Sequence, residues 1–472
     1  MINSISVIIF SIVLVLVFLF ISYFGLVYYF LGFTFIICLF WFLTNSKNIV
    51  VFFLIFIPTN DIFSKDDFLF SVIGFKQIMV FFVVLYYLKN YRNIIQNLKV
   101  INSTISYKKF ILSIETLILL LIIYFNYTYY KNANFSLHDF DLITAILKSI
   151  NMTGYLVACL FSFRIALTLI PVNEINRLMI CSVLFMLTLS FLSPILPSLG
   201  LRSVGTEKTE FENIGLERYT GIIVDGDSNT LSVYAAMTIG ICLLFYSYYQ
   251  KKLFIGLVIP LSILIGVAGS RTGIIVLFVV LIIFYSLIKN SLSRKSKVQF
   301  LFLFPILVLI SIPFFELIFN RFYIIGEQLN LETSSNRIGK WILYFNFFLE
   351  NKITFLTGSQ KELLITWDER FYAAHNVFIT LIYNSGLFFS LYFLLIMIRL
   401  IWYSVKYKFY DLLILIIPSF ILINFVSDLG ILYPMMLYMI ILLKNKFSYQ
   451  YFNSVVLKNL LKYHWTDLTI KN

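Results

Sequence analysis

Residues 253–289 read LFIGLVIPLSILIGVAGSRTGIIVLFVVLIIFYSLIK. The stretch stays apolar for far longer than one membrane crossing requires and is interrupted only at Gly269, Ser270, Arg271, Thr272 and Gly273. A hydrocarbon core of about 30 Å takes roughly 20 helical residues, so the reading is two spans joined by a tight turn. The small residues of that turn let a ligand or another backbone come close, and Arg271 sits among them at the hydrocarbon boundary.

The same pattern runs along nearly the whole chain. Of its 472 residues 60% are hydrophobic and 12% charged, and the mean hydropathy is +0.92, far outside the range of soluble domains. Apolar runs predict helices near residues 5–23, 25–43, 49–63, 70–88, 109–126, 144–166, 177–196, 229–248, 253–269, 272–288, 299–319, 376–398, 409–426 and 430–443. The expected fold is all-α: a single integral membrane domain over 1–472, a bundle of about 12–14 transmembrane helices. A β-barrel would need alternating segments of about ten residues, a pattern the sequence lacks. The first run lacks a small-residue cleavage site and reads as a retained helix, not a removed signal peptide. Cys38, Cys159, Cys181 and Cys242 all lie inside apolar runs at no paired or metal-ligand spacing.

A net charge of +13 brings nucleic acid to mind, but its distribution excludes that partner. Lys89, Arg92, Lys99, Lys108 and Lys109 crowd one segment with no acid between them, and Lys289, Arg294, Lys295 and Lys297 another. This is the positive-inside signature. With fourteen spans the basic segments, including the tail over 444–472, share the cytoplasmic side, and 127–141, 197–228 and 320–375 face outward. Both termini are then cytoplasmic. The loop over 320–375 is too long for a connector. Ser334 or Ser335 can cap a helix within it, in which Arg337, Trp341, Tyr344, Phe345 and Phe348 share a face along the membrane interface.

Candidate chemistry gathers on the outer side. Arg271 is either a guanidinium gripping phosphate in bidentate fashion or an arginine snorkelling to the interface. Arg218 precedes Asp227, Ser228 and Asn229, which open the next helix; they serve as N-caps, and a helix start there also offers amides and a positive dipole end to an anion. His375, just before Asn376 at another helix entry, is either a general base toward a sugar hydroxyl or a solvated interfacial imidazole. Glu316, Glu327, Glu332, Asp368 and Glu369 are alternative bases. No His or Cys cluster has metal-ligand spacing; Asp61, Asp66 and Asp67 fit a divalent ion or, more simply, solvated turn charges. No glycine-rich nucleotide loop opens a helix on the cytoplasmic side.

Three segments, taken in order, resemble the O-antigen ligase and O-antigen polymerase superfamily: Arg218-Tyr219-Thr220-Gly221 followed by Asp227-Ser228-Asn229; Gly269 to Gly273; and Asn336, Arg337 and Trp341, ending at His375 and Asn376 with Gly386 in the helix that follows. The resemblance spans about residues 200–400. Ser228 stands where many relatives carry proline, and Ser390 where many carry glycine. The resemblance implies a glycosyltransferase needing neither metal nor cofactor, acting on glycans carried by undecaprenyl diphosphate at the outer face of a bacterial inner membrane. By the same resemblance Arg218 and Arg271 hold the diphosphate, Arg337 assists, His375 activates or orients the acceptor hydroxyl, and Asn229, Asn376 and Trp341 line the substrate. Expected partners are the lipid-linked oligosaccharide, membrane lipid and a chain-length regulator. The leading expectation is a repeat-unit polymerase, with a ligase onto lipid A core as the alternative sharing these motifs. A polysaccharide flippase, the third, would want ionisable residues facing a cavity inside the bundle, where Glu115 and Lys148 are among the few candidates.

Overall fold

The computed structural model describes residues 27–56, 75–102, 105–133, 139–192, 206–207, 218–219, 228–249, 252–268, 270–288, 337–358, 376–423, 432 and 435–446. Helices expected near 5–23 and 299–319 lie outside these residues, as does the tail beyond 446. The described chain is all-α apart from one two-residue ladder, and it contains several long apolar helices of the kind a multi-pass membrane bundle needs.

In chain order the first elements are α1 Val27–Leu43, α2 Asn48–Phe56, α3 Phe75–Lys89, α4 Tyr91–Asn102, α5 Ile105–Ala133, α6 Asp139–Thr168 and α7 Val172–Leu192. Strands β1 Thr206–Glu207 and β2 Arg218–Tyr219 follow, then α8 Ser228–Tyr249, α9 Lys252–Ala268 and α10 Arg271–Ile288. The segment expected to face outward holds α11 Arg337–Glu350 and α12 Lys352–Thr357, and the chain continues through α13 Val377–Ser385, α14 Leu387–Lys406, α15 Leu413–Ile423 and α16, residues 435–446. Within α5, α6, α8 and α14 lie four stretches, Ser106–Lys131, Ala145–Thr168, Thr230–Ser247 and Leu387–Lys406, each long and apolar enough to cross a membrane alone.

The basic segment over 89–109 is largely helical: α4 occupies most of it and leaves α3 at 76°. Its Ile94, Leu98 and Ile101 are buried while Arg92 and Lys99 are exposed, so three- and four-residue spacing of apolar side chains wraps a helix onto the bundle although charge dominates the composition. The helix expected over 376–398 is two helices, divided at Gly386, whose φ of 84° and ψ of 169° fall where only glycine is comfortable. A continuous helix would hold Phe378 and Phe393 about 22 Å apart. Their ring centroids are 6.2 Å apart, so α13 doubles back along α14. Tyr124 of α5 meets both arms of this hairpin, accepting from Asn384 Nδ2 at 2.8 Å and packing its ring 5.6 Å from Phe389.

One end of the bundle collects the basic residues. Lys89 donates to Phe42 O at 3.0 Å and Asn90 Nδ2 to Asn45 Oδ1 at 2.9 Å, tying α3 to the end of α1. Lys444 donates to Leu167 O at 2.6 Å, Lys446 to Lys408 O at 2.8 Å, and Lys109 lies over the Tyr403 ring. Asn176, Tyr249 and Asn445 close a triangle of hydrogen bonds that joins α7, α8 and α16 at the same end.

Between the ends the helices meet through small residues and a few polar pairs. A Cβ on Gly273 would strike Ser232, and one on Gly240 would strike Val280 and Ile414, so α8 and α10 run parallel at close range with α15 antiparallel beside them. Helices in lipid gain little from hydrophobic association with one another, and close backbone approach supplies packing instead. Arg164 Nε donates to Glu115 Oε1 at 2.7 Å and its Nη1 to Tyr87 OH at 3.0 Å, pinning α6 to α5 and α3. The runs around Lys148 and Arg164 are a single helix, α6. Asn126 Nδ2 donates to Thr153 Oγ1 at 2.6 Å, and its Oδ1 accepts from Ser149.

Candidate functional site

Because α8 ends among the basic groups and α10 runs parallel to it, both helices begin at the opposite end of the bundle. The break read from the sequence at Gly269 to Gly273 is there: α9 stops at Ala268 and α10 starts at Arg271. Ser270, buried, caps α10 by accepting the Gly273 N–H at 3.3 Å, and Thr272 is buried beside it. Gly273 lets this start approach Ser232 in the first turns of α8. β2, which carries Arg218, lies against α9, the helix that leads into Ser270 and Arg271. Asn229 and Arg271 thus lie in the first turns of the paired α8 and α10, and the Arg218 strand lies against α9; the side chains of all three lie outside the described residues.

Arg337 opens α11, its side chain likewise outside the described residues. Trp341 is half-buried, and Tyr344, Phe347 and Phe348 form a cluster with Tyr383 of α13 and Phe355 of α12. Burial pushes the Tyr344 phenol up to about 12. Phe345, expected on that face, is exposed, as are Ile342 and Leu349: α11 carries a second apolar stripe, which α12 continues with Ile353 and Leu356. Phe345 follows Tyr344 by one residue and precedes Phe347 by two, which turns it away from both, and apolarity alone did not say which of two stripes faces the protein.

Asn376 is buried and caps α13, its Oδ1 accepting from Phe378 N at 2.9 Å and Ile379 N at 3.2 Å. An asparagine so engaged has only its NH2 with which to hold a ligand. The start of α13 sits inside the bundle. Val377 is buried in the main core, and Phe378 packs 6.0 Å from Phe420, whose neighbour Ser419 donates to Met237 Sδ in α8 at 3.4 Å. A half-helix with its N-terminus buried in a membrane bundle presents amides and a positive dipole end within it. His375, the neighbour in sequence, lies outside the described residues, as do Asp227, Gly269, Glu316, Glu327, Glu332, Asp368 and Glu369.

Two glycines lock the outer segment onto the hairpin. Gly358, at φ 83° after α12, would with a Cβ sit 2.6 Å from Asn384 O and 2.7 Å from Ser385 N; Gly386 would meet Leu356 O. Tyr127 OH donates to Thr357 O at 2.9 Å, fastening the end of α5 to the same junction. Sequence reading named Gly386 but neither Gly358 nor the Tyr124 and Tyr127 face of α5, whose spacing of three was legible. Among the described residues no group of His, Cys, Asp or Glu could hold a metal ion; Asp61, Asp66 and Asp67 lie outside them. Neither a protein-family model, nor a curated protein, nor a solved structure matches this chain.

Proposed function

We propose that the chain is a glycosyltransferase of the outer face of a bacterial inner membrane, a repeat-unit polymerase that moves a growing glycan from undecaprenyl diphosphate onto the next lipid-linked unit. The observation that carries this reading is the pair of parallel helix starts, α8 and α10, at the end away from the basic residues, with Arg271 opening α10 and the Arg218 strand lying against α9, which leads into that turn. Under the positive-inside rule that end faces outward. Amides, dipole ends and guanidinium groups are the chemistry a diphosphate leaving group requires.

In this mechanism the acceptor hydroxyl attacks the anomeric carbon, giving its proton to His375 or a nearby carboxylate. The bond from that carbon to the diphosphate oxygen breaks with inversion. Arg218 and Arg271 hold the departing undecaprenyl diphosphate, with Arg337 closing from the outer segment. Preorganised cations at a boundary of low dielectric stabilise the charge that develops without reorganising.

The flippase reading loses support. Glu115 is committed to Arg164, and Lys148 is exposed, so neither is an unpaired group lining an internal path. The test is a glycan profile of cells lacking the chain, separated by size and by carrier. Lipid A core bearing a single repeat is the expected result. Long chains left on undecaprenyl diphosphate beside bare core would assign the ligase activity instead, and an unchanged profile would remove both.

A further inference from the structure

Lys131 lies in the last turn of α5 and ends its apolar stretch. A lysine in that position ordinarily extends its ammonium into water or headgroups. The Nζ of Lys131 is instead fully covered, with no hydrogen-bond partner among the described residues and only the Tyr127 ring, 5.5 Å to the centroid, beneath it. Two hydroxyls share its condition: Thr128 Oγ1, one turn earlier on the same face of α5, and Ser385 Oγ, at the end of α13, which Tyr124 ties to α5 through Asn384. Tyr124 and Tyr127 anchor this face to Asn384 and Thr357, and Gly358 draws the Ser385 backbone in. A covered ammonium and covered hydroxyls without acceptors are costly groups, and an anion that accepts from all three removes the cost.

We propose that the junction of α5, α12 and α13 is a phosphate-binding site, with Lys131 supplying the charge and Thr128 and Ser385 supplying donors. Its place at the close of a membrane-crossing helix points to a phosphate carried on a lipid at the boundary. It rests on the polymerase reading only for the choice of lipid, since the covered groups stand whatever reaction the chain performs.

The test uses the full chain in phosphatidylcholine nanodiscs, with binding of undecaprenyl diphosphate and, separately, inorganic diphosphate measured by native mass spectrometry. Lys131→Met is expected to weaken binding about tenfold or more and Lys131→Arg to restore most of it, as loss and return of a charge-assisted bond require. Thr128→Val, which keeps the ammonium and the side-chain shape, is expected to weaken binding about threefold and guards against a misfolded Lys131 variant. Lys131-dependence with the lipid alone identifies a lipid-borne phosphate; the same dependence with inorganic diphosphate identifies the bare anion, and either result supports the site. Undiminished binding in both the Lys131→Met and Thr128→Val variants overturns it. If the glycan profile is unchanged in cells lacking the chain while binding still depends on Lys131, the polymerase reading falls and the site stands.

Discussion

The two ends of the bundle treat their lysines differently. At the basic end Lys89, Lys444 and Lys446 each end on a backbone carbonyl of a neighbouring segment, closing off groups that helix ends leave unsatisfied. At the other end Lys131 is covered yet finds no acceptor among the described residues, and the Thr128 and Ser385 hydroxyls are in the same condition. Helix starts gather at that end too, with a glycine clasp that leaves no room for a Cβ. Lysines that close off carbonyls of neighbouring segments hold helices together, whereas covered donors without acceptors cost stability unless a ligand completes them. The contrast separates structure from function along the bundle axis.

The comparison breaks most sharply at Arg271. Arg271→Ala is expected to lower polymer formation about 100- to 1,000-fold, the scale of losing one preorganised group that stabilises developing charge. Membrane insertion should persist, since the change leaves the apolar stretch of α10 intact. Polymer length and amount read from cells carrying the variant check this, and His375→Ala is expected to behave alike. Full activity in both would leave the outward end without its proposed chemistry.

The clasp comes next in size. Gly386→Ala places a side chain at a φ and ψ that only glycine tolerates and drives it into Leu356 O. Backbone strain and overpacking together should cost about 3 kcal/mol or more. Gly256→Ala in α9 is the control: nothing lies within 4 Å of its Cβ, and alanine in a helix interior should be neutral or up to about 1 kcal/mol stabilising. Thermal unfolding of the two variants in detergent checks the pair, and equal midpoints would mean that the clasp does not hold the outer segment.

How much of this was legible follows from which signal each feature carries. Long apolar runs gave the turn at Gly269 to Gly273 and the starts at Ser228 and Arg271, because span length and small-residue breaks are local properties. The doubling back of α13 was not legible. Residues 376–398 form one apolar run, and a glycine inside it reads equally as a helix residue or a hinge; what decides is the Leu356 carbonyl, far away in sequence. The covered state of Lys131 was hidden for the same reason, since a lysine ending a span reads as snorkelling until its neighbours are known. Arg164 and Glu115 looked like isolated charges within apolar runs, and only the packing of α5 on α6 made them partners.

That partnership sets the third expectation. Glu115→Gln leaves the Arg164 guanidinium beside apolar neighbours with one neutral acceptor in place of a carboxylate. Removing one member of a buried pair costs about 3 kcal/mol, and partial exposure of these side chains reduces that to about 2. Arg164→Met added to Glu115→Gln should recover part of the loss, because the uncompensated charge is then gone. A double variant less stable than either single one would mean that each group has further partners in the bundle.

The smallest effect belongs to the basic end. Lys446 sits 3.7 Å from Asp411 and donates to Lys408 O, its carboxylate partner an ångström farther off than Glu115 is from Arg164. A pair held this loosely contributes about 1 kcal/mol or less, so Lys446→Ala should shift the unfolding midpoint only slightly. It should leave polymer formation within about twofold, since a group acting through stability alone gives no differential binding of the transition state. The effect should also shrink as salt is added, because screened pairs lose their attraction within about 10 Å at 0.1 M ionic strength. If Lys446→Ala instead abolished the polymer while the protein stayed folded, the basic end would have to take part in catalysis, and the division of labour between the two ends would be wrong.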